Sequence, residues 1–252
     1  MSSGNASHGK IDMPKNIVMT DKEKDMRTDL KRAPRPRIAS TIVLTVGPKD
    51  NPRILMGQRA KRHDFMPDVY VFPGGRVDRG DSYVRYVGRL SPKAETILEA
   101  AYSPRKARAV ALAAVRETYE ETSLMLGTKA KTPKAAHSDP SWQAFYDTGQ
   151  LPSLDGVEVF GRAITPPHRH KRFDTWFFIK HLDLDIPPPT RDSAELLNVG
   201  WFTFEEIKNL DCQRATVMML HVLQKYLETG HQSDTIFYSR MERGTYKQGE
   251  FP

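Results

Sequence analysis

Three carboxylates stand close together in Arg116-Glu117-Thr118-Tyr119-Glu120-Glu121. On a helix, Glu117, Glu120 and Glu121 fall at i, i+3 and i+4 and project from one face. Anions this close repel one another unless a cation lies between them. Hard divalent ions such as Mg²⁺ take carboxylate oxygen, keep part of their water shell and bridge readily to phosphate. The pattern points to a magnesium-type site serving a phosphate-containing substrate. A solvated acidic face is the commoner fate of such a charge run, so the neighbouring residues must decide. Upstream, Phe72-Pro73-Gly74-Gly75 places a glycine pair at a strand end, where backbone can bend sharply and approach a ligand closely.

The elements that must position these groups follow from periodicity and punctuation. Residues 104–126 are predicted as a helix, opened by Ser103-Pro104 and stopped by Gly127. Leu112, Val115, Tyr119 and Leu126 form its bulky stripe. The glutamates fall on the opposite side, beneath Val110, Ala113 and Ala114, which leave room for the Gly74-Gly75 loop. Residues 38–46 and 53–59 read as a hairpin, and 69–72 as a third strand. Helices are expected at 93–102, 139–148 and 214–227, and strands at 157–165, 173–181 and 199–203. Residues 1–36 read as a flexible basic leader, residues 37–229 as the domain, and residues 230–252 as an extension without clear period.

A chain of 252 residues can bury a sizeable core. No apolar run approaches the roughly 20 residues that span a bilayer, so no membrane partner is expected. Nor does the N-terminus carry the apolar core of a secretory signal. Cys212 is the only cysteine, which excludes an internal disulfide and a multi-cysteine zinc site; a cytoplasmic location is the default expectation. The formal charge is +7, but residues 1–37 hold nine Lys or Arg against five acids. More than half of the excess therefore lies in the leader, which argues against a dedicated nucleic-acid surface.

Pro73-Gly74-Gly75, Asp81 and Arg116-Glu117-Thr118-Tyr119-Glu120-Glu121-Thr122-Ser123-Leu124 resemble the Nudix box. An Asp stands for the first Glu of the pattern, Thr118 fills an apolar slot, and Ser123 replaces the late Gly. Between Asp81 and Arg116 lie 34 residues, an insertion of 27 over the usual spacing, with residues 82–108 as its approximate extent. The resemblance implies an α/β fold, a Nudix-type α/β/α sandwich around a mixed sheet. It implies that Glu117, Glu120 and Glu121 hold Mg²⁺ (or Mn²⁺), with the Gly74 or Gly75 carbonyl assisting. Arg116 would orient Glu120, and Glu120 or Glu121 would act as base. Asp81 would support the site, and Asp192 and Glu195 are candidates for a further acid. The implied chemistry is hydrolysis of a small-molecule nucleoside diphosphate derivative, by a chain that could form a homodimer.

A finer resemblance, to the coenzyme A diphosphatases, rests on Leu55, Arg59, Ala60 and Phe72-Pro73-Gly74-Gly75, which keep that branch's spacing. Asp64 and Asp68 depart from it, with Arg62 or His63 available to replace the second Arg. Some eukaryotic members also carry a long insertion within the box, and Arg172-Phe173-Asp174-Thr175 looks like that branch. Arg59, Arg62, Phe72, Arg172 and Asp174 are thus the expected substrate contacts, with coenzyme A or acyl-coenzyme A as substrate. ADP-ribose, NADH and dinucleoside polyphosphates are the alternative substrates. From another class, the alternative is a nucleotide-binding regulatory domain without turnover.

Overall fold

The computed structural model describes residues 33–61, 67–129, 136–229, 234–242 and 245–251. Arg62 and nearly all of the leader lie outside them. The first half of the chain forms β1 (Arg37–Val46), β2 (Arg53–Arg59), β3 (Tyr70–Val71), β4 (Gly74–Arg76), a 3-10 turn at Gly80–Tyr83, α1 (Pro92–Glu99) and α2 (Pro104–Thr122). There follow β5 (Gly127–Lys129), α3 (Pro140–Asp147), β6 (Gln150–Pro152), β7 (Glu158–Ile164) and β8 (Phe173–Leu182). The chain ends with β9 (Leu196–Phe202), α4 (Phe204–Ile207), α5 (Arg214–Thr229), β10 (Ile236–Glu242) and β11 (Thr245–Phe251).

β1 holds the centre because its apolar run is buried on both faces: Ile42, Val43 and Leu44 are all fully covered. It pairs antiparallel with β2, as the hairpin reading expects, antiparallel with β4, and parallel with β8. The strand order is β11-β10-β7-β8-β1-β2-β3, with β9 also on β2, which makes the sheet mixed. Alternation along each strand divides the core. Ile42, Leu44, Trp176 and Phe178 face α1, α2 and α3, where Ile97, Val110, Val115 and Trp142 meet them. Val43, Phe177 and Ile179 face α4 and α5, meeting Ile207, Met219 and Leu223. Helices thus cover both faces, giving the expected α/β/α arrangement.

Two expectations change. The long helix ends at Thr122, four residues before its predicted end at residue 126, because Ser123 takes the left-handed conformation (φ 59°) and returns its N–H to the Tyr119 carbonyl. Gly127 instead opens β5. The tail read as lacking period contributes β10 and β11, and β10 joins the main sheet in parallel with β7. Among the described residues, no helix is long and apolar enough to cross a membrane.

Candidate active site

The glutamates lie where α2 passes the β1–β4 edge. Val110, Ala113 and Ala114 are fully buried, so the helix approaches the sheet closely. The Gly74 N–H donates to Glu121 Oε2 at 2.8 Å. A Cβ on Gly74 would sit 2.5 Å from the Ser40 carbonyl oxygen, and one on Gly75 2.4 Å from the Glu117 carboxyl carbon. Neither position can carry a side chain without displacing β1 or the carboxylate. The glycine pair is therefore a packing requirement of the acidic face.

Arg116 ties the face together. Its guanidinium is buried, with Nε donating to Asp81 Oδ1 at 2.9 Å and Nη2 to the Arg76 carbonyl at 2.9 Å. Nη1 reaches Glu117 at 2.8 Å and Glu120 at 3.3 Å, so Glu117, more than Glu120, is the carboxylate it holds. Burial pulls the Arg116 pKa down, but the bond to Asp81 and the charges of Glu117, Asp81 and Glu120 outweigh this and hold it above its ordinary value. Asp81 is buried too and also accepts from Trp142 Nε1 at 2.8 Å and the Asp78 N–H at 2.7 Å. Asp81 thus anchors the Arg116 guanidinium and does not line the cavity beside the glutamates. Trp142 completes it from α3, 61 residues away in sequence, and no spacing rule points to it.

Burial pushes the Glu117 carboxyl up to about 7; Glu120 adds to this, and Arg116 opposes it. Burial pushes Glu121 well above the usual range, aided by Glu117 and opposed by the Gly74 N–H and Arg59. Among the described residues, no three His, Cys, Asp or Glu groups converge as placed into a set that could hold a metal. Arg116 holds one oxygen each of Glu117 and Glu120, and Gly74 holds one of Glu121. The second oxygen of each has no hydrogen bond with the described residues. A hard-oxygen donor set whose two buried members resist ionisation suits a divalent ion. Side-chain rotation would have to close the ligand set.

A cavity of about 500 Å³ opens on this face. Of the expected residues, Arg59, Phe72, Gly74, Gly75, Arg116, Glu117, Glu120, Glu121 and Glu195 line it. Burial lowers the Arg59 pKa, against the raising effect of Glu121 and Glu195. Arg172 and Asp174 do not line it. Arg172 donates to the Thr165 and Pro34 carbonyls at 3.0 and 2.8 Å, and Asp174 takes a bidentate pair from Arg162 at 2.8 and 2.7 Å. Alternation is the reason: Phe173, Thr175 and Phe177 of β8 face the cavity, and Asp174 faces away. Asp192 accepts the Val199 N–H at 2.9 Å and is a loop carboxylate. Arg169, Arg214, Thr216 and Ser239 also line the cavity.

No protein-family model matches the chain. Acyl-coenzyme A diphosphatase NUDT19 of Gallus gallus is 23% identical over 208 residues, 62% of this chain and 55% of that protein. A Caenorhabditis elegans protein provisionally named nudix hydrolase 7 is 27% identical over 179 residues, 68% of this chain and 52% of that one. The chain thus spans about half the length of these curated relatives. In structure, it is similar to a NUDIX hydrolase from Alicyclobacillus acidocaldarius, with a TM-score of 0.59 and 26% identity. That match covers 79% of this chain and 96% of the other. From these likenesses, the shared fold and the Gly74-Gly75 loop closing on the α2 glutamates, the chain has the fold of the Nudix hydrolases and is similar to them, the coenzyme A diphosphatase branch among them.

Proposed function

We propose that the chain is a divalent-metal-dependent hydrolase that cleaves the diphosphate of a nucleoside diphosphate derivative, with coenzyme A or acyl-coenzyme A as the substrate class. The observation that carries this reading is the meeting of Glu117, Glu120 and Glu121 with the Gly74-Gly75 loop on the wall of one cavity. Its volume, about 500 Å³, lies in the range of small-molecule sites. Glu117, Glu120 and Glu121 would hold Mg²⁺ or Mn²⁺, which supplies charge neutralisation at phosphate oxygen and a lowered water pKa.

The chain's own groups divide the remaining work. Glu120 is the best solvated of the Arg116-bound pair, with 33% of its side chain exposed against 13% for Glu117. It is therefore the carboxylate able to take the proton from the attacking water. As water oxygen bonds to one phosphorus, the bridging P–O bond breaks, leaving two phosphate monoesters. Arg116 keeps Glu117 and Glu120 oriented, and Arg59 offers positive charge to the phosphates. Phe72, Phe173 and Phe177 supply apolar wall for the rest of the substrate. Support for coenzyme A comes from the Arg59 to Gly75 spacing and from the activity in the name of the Gallus gallus relative.

A binding domain without turnover is the second reading, favoured by the engagement of all three glutamates with Arg116 or Gly74. A hydrolysis screen with Mg²⁺ or Mn²⁺ over coenzyme A, acyl-coenzyme A, ADP-ribose, NADH and dinucleoside polyphosphates separates the two. Turnover of coenzyme A or its acyl derivative is expected. Binding without turnover of any of them would favour the second reading.

A further inference from the structure

Beyond the glutamates the cavity reaches the first turn of α5, where Gln213, Arg214, Ala215 and Thr216 line it. The opening backbone bond of this helix runs from the Val217 N–H to the Gln213 carbonyl at 3.1 Å. The N–H groups of Ala215 and Thr216 precede that ladder and have no acceptor among the described residues. A helix of 16 residues adds partial positive charge at this end.

A second observation comes from a different element. Ser239 of β10 lines the same cavity, and both it (4% exposed) and Thr216 (3% exposed) have hydroxyls with no hydrogen bond to any described residue. Neither hydroxyl is sealed in the core, where Ser40 Oγ alone among the described residues is buried without a partner, so both are open to an occupant of the cavity that bonds to them. Sheet register puts Ser239 beside Ala163 and Ala163 beside Thr175, and these small side chains keep the floor open. The lining carboxylates, Asp78, Glu117, Glu120, Glu121, Asp139 and Glu195, all belong to α2 or to loops. None comes from α5, β7, β8 or β10. The lining carboxylates are thus kept to other elements, and the α5 end offers donors.

We propose that the α5 end binds a second phosphate of the substrate, a monoester separate from the diphosphate that is cleaved. Two backbone N–H groups and two hydroxyls match the several acceptor oxygens of a phosphate better than those of a base or sugar. This inference rests on reading the cavity as a nucleotide site. A ribose carrying its phosphate at the 2′ or the 3′ position would present the same group.

The test is calorimetric titration of the full chain, in chelator, with 5′-AMP, adenosine 3′,5′-bisphosphate and adenosine 2′,5′-bisphosphate. One bisphosphate is expected to bind about tenfold more tightly than 5′-AMP or better, and its identity fixes the position of the phosphate. Thr216→Val, which keeps the shape and removes the hydroxyl, and Ser239→Ala should each lower that affinity ratio by about fivefold. Equal affinities for all three nucleotides, or no binding of either bisphosphate, would overturn the proposal. So would an unchanged ratio in both variants. Turnover is scored separately: hydrolysis without bisphosphate preference removes only this site, and bisphosphate preference without hydrolysis removes only the hydrolase reading.

Discussion

Gly75 and Glu117 share a space that admits no further atom, since a Cβ on Gly75 would lie 2.4 Å from the Glu117 carboxyl carbon. Gly75→Ala should therefore push Glu117 away from its bond with Arg116 and from the acidic face. A displacement of about 1 Å at a reacting centre costs about 100-fold in rate. We expect kcat to fall by about that factor while the unfolding midpoint changes little, measured by steady-state hydrolysis and thermal melting of the same preparation. A variant with wild-type kcat would show that the loop yields and that the glutamate face tolerates it.

The Asp81–Trp142 bond supports the site from behind. Trp142→Phe keeps the ring packing but removes the donor at 2.8 Å, leaving buried Asp81 with less support. A loss of about 1–2 kcal/mol in unfolding free energy is expected. Asp81→Asn should cost more, about 3–5 kcal/mol, because it leaves the buried Arg116 charge without its main partner. Denaturant melts of the two variants give the comparison, and equal losses would contradict the ranking.

Glu117 also sets a pH dependence. Burial holds its carboxyl near 7 in the folded chain, against an ordinary 4.5, so between these values the folded state keeps a proton that the unfolded state releases. The contribution of this group to stability is therefore present below about 4.5 and is lost as pH rises through 7 in metal-free protein. A divalent ion held by Glu117 would replace that proton, so stabilisation by Mg²⁺ should grow over the same interval. Thermal melts from about pH 5 to 8, with chelator or with Mg²⁺, should diverge as pH rises. Curves that stay parallel would mean that Glu117 does not exchange its proton for the ion.

Asp174 and Arg59 make a contrasting pair. Asp174 is bound bidentately by Arg162, which also packs on Trp176 and Phe251, so Asp174→Asn should lower stability and leave KM unaltered. Arg59 lines the cavity, so Arg59→Ala should lower kcat/KM for coenzyme A by about tenfold or more. Michaelis curves for both variants decide this. A raised KM in the Asp174 variant would return that residue to the substrate site.

Local pattern carried the elements that place the chemistry. The β-branched run of β1 and the i, i+3, i+4 glutamates of α2 fix their own geometry, because periodicity alone sets which side chains share a face. The end of α2 was not legible, since Ser123 adopts a left-handed conformation that its side chain does not announce and Gly127 offered a more obvious stop. Face selection on β8 was hidden as well. Asp174 and Thr175 are neighbours in sequence, and only the packed sheet decides which of them meets the cavity. Trp142 and Ser239 were out of reach because their roles come from tertiary pairing, with Asp81 in one case and through β7 in the other.

The central claim is that the three α2 glutamates support metal-dependent cleavage of a diphosphate. Its most direct test is the rate of coenzyme A hydrolysis at limiting Mg²⁺ by the wild-type chain and by Glu121→Gln, which keeps the shape and removes the charge. The account predicts Mg²⁺-dependent hydrolysis by the wild type and a loss of about 100-fold or more in the variant. Equal rates for the two chains, or hydrolysis indifferent to Mg²⁺, would contradict it.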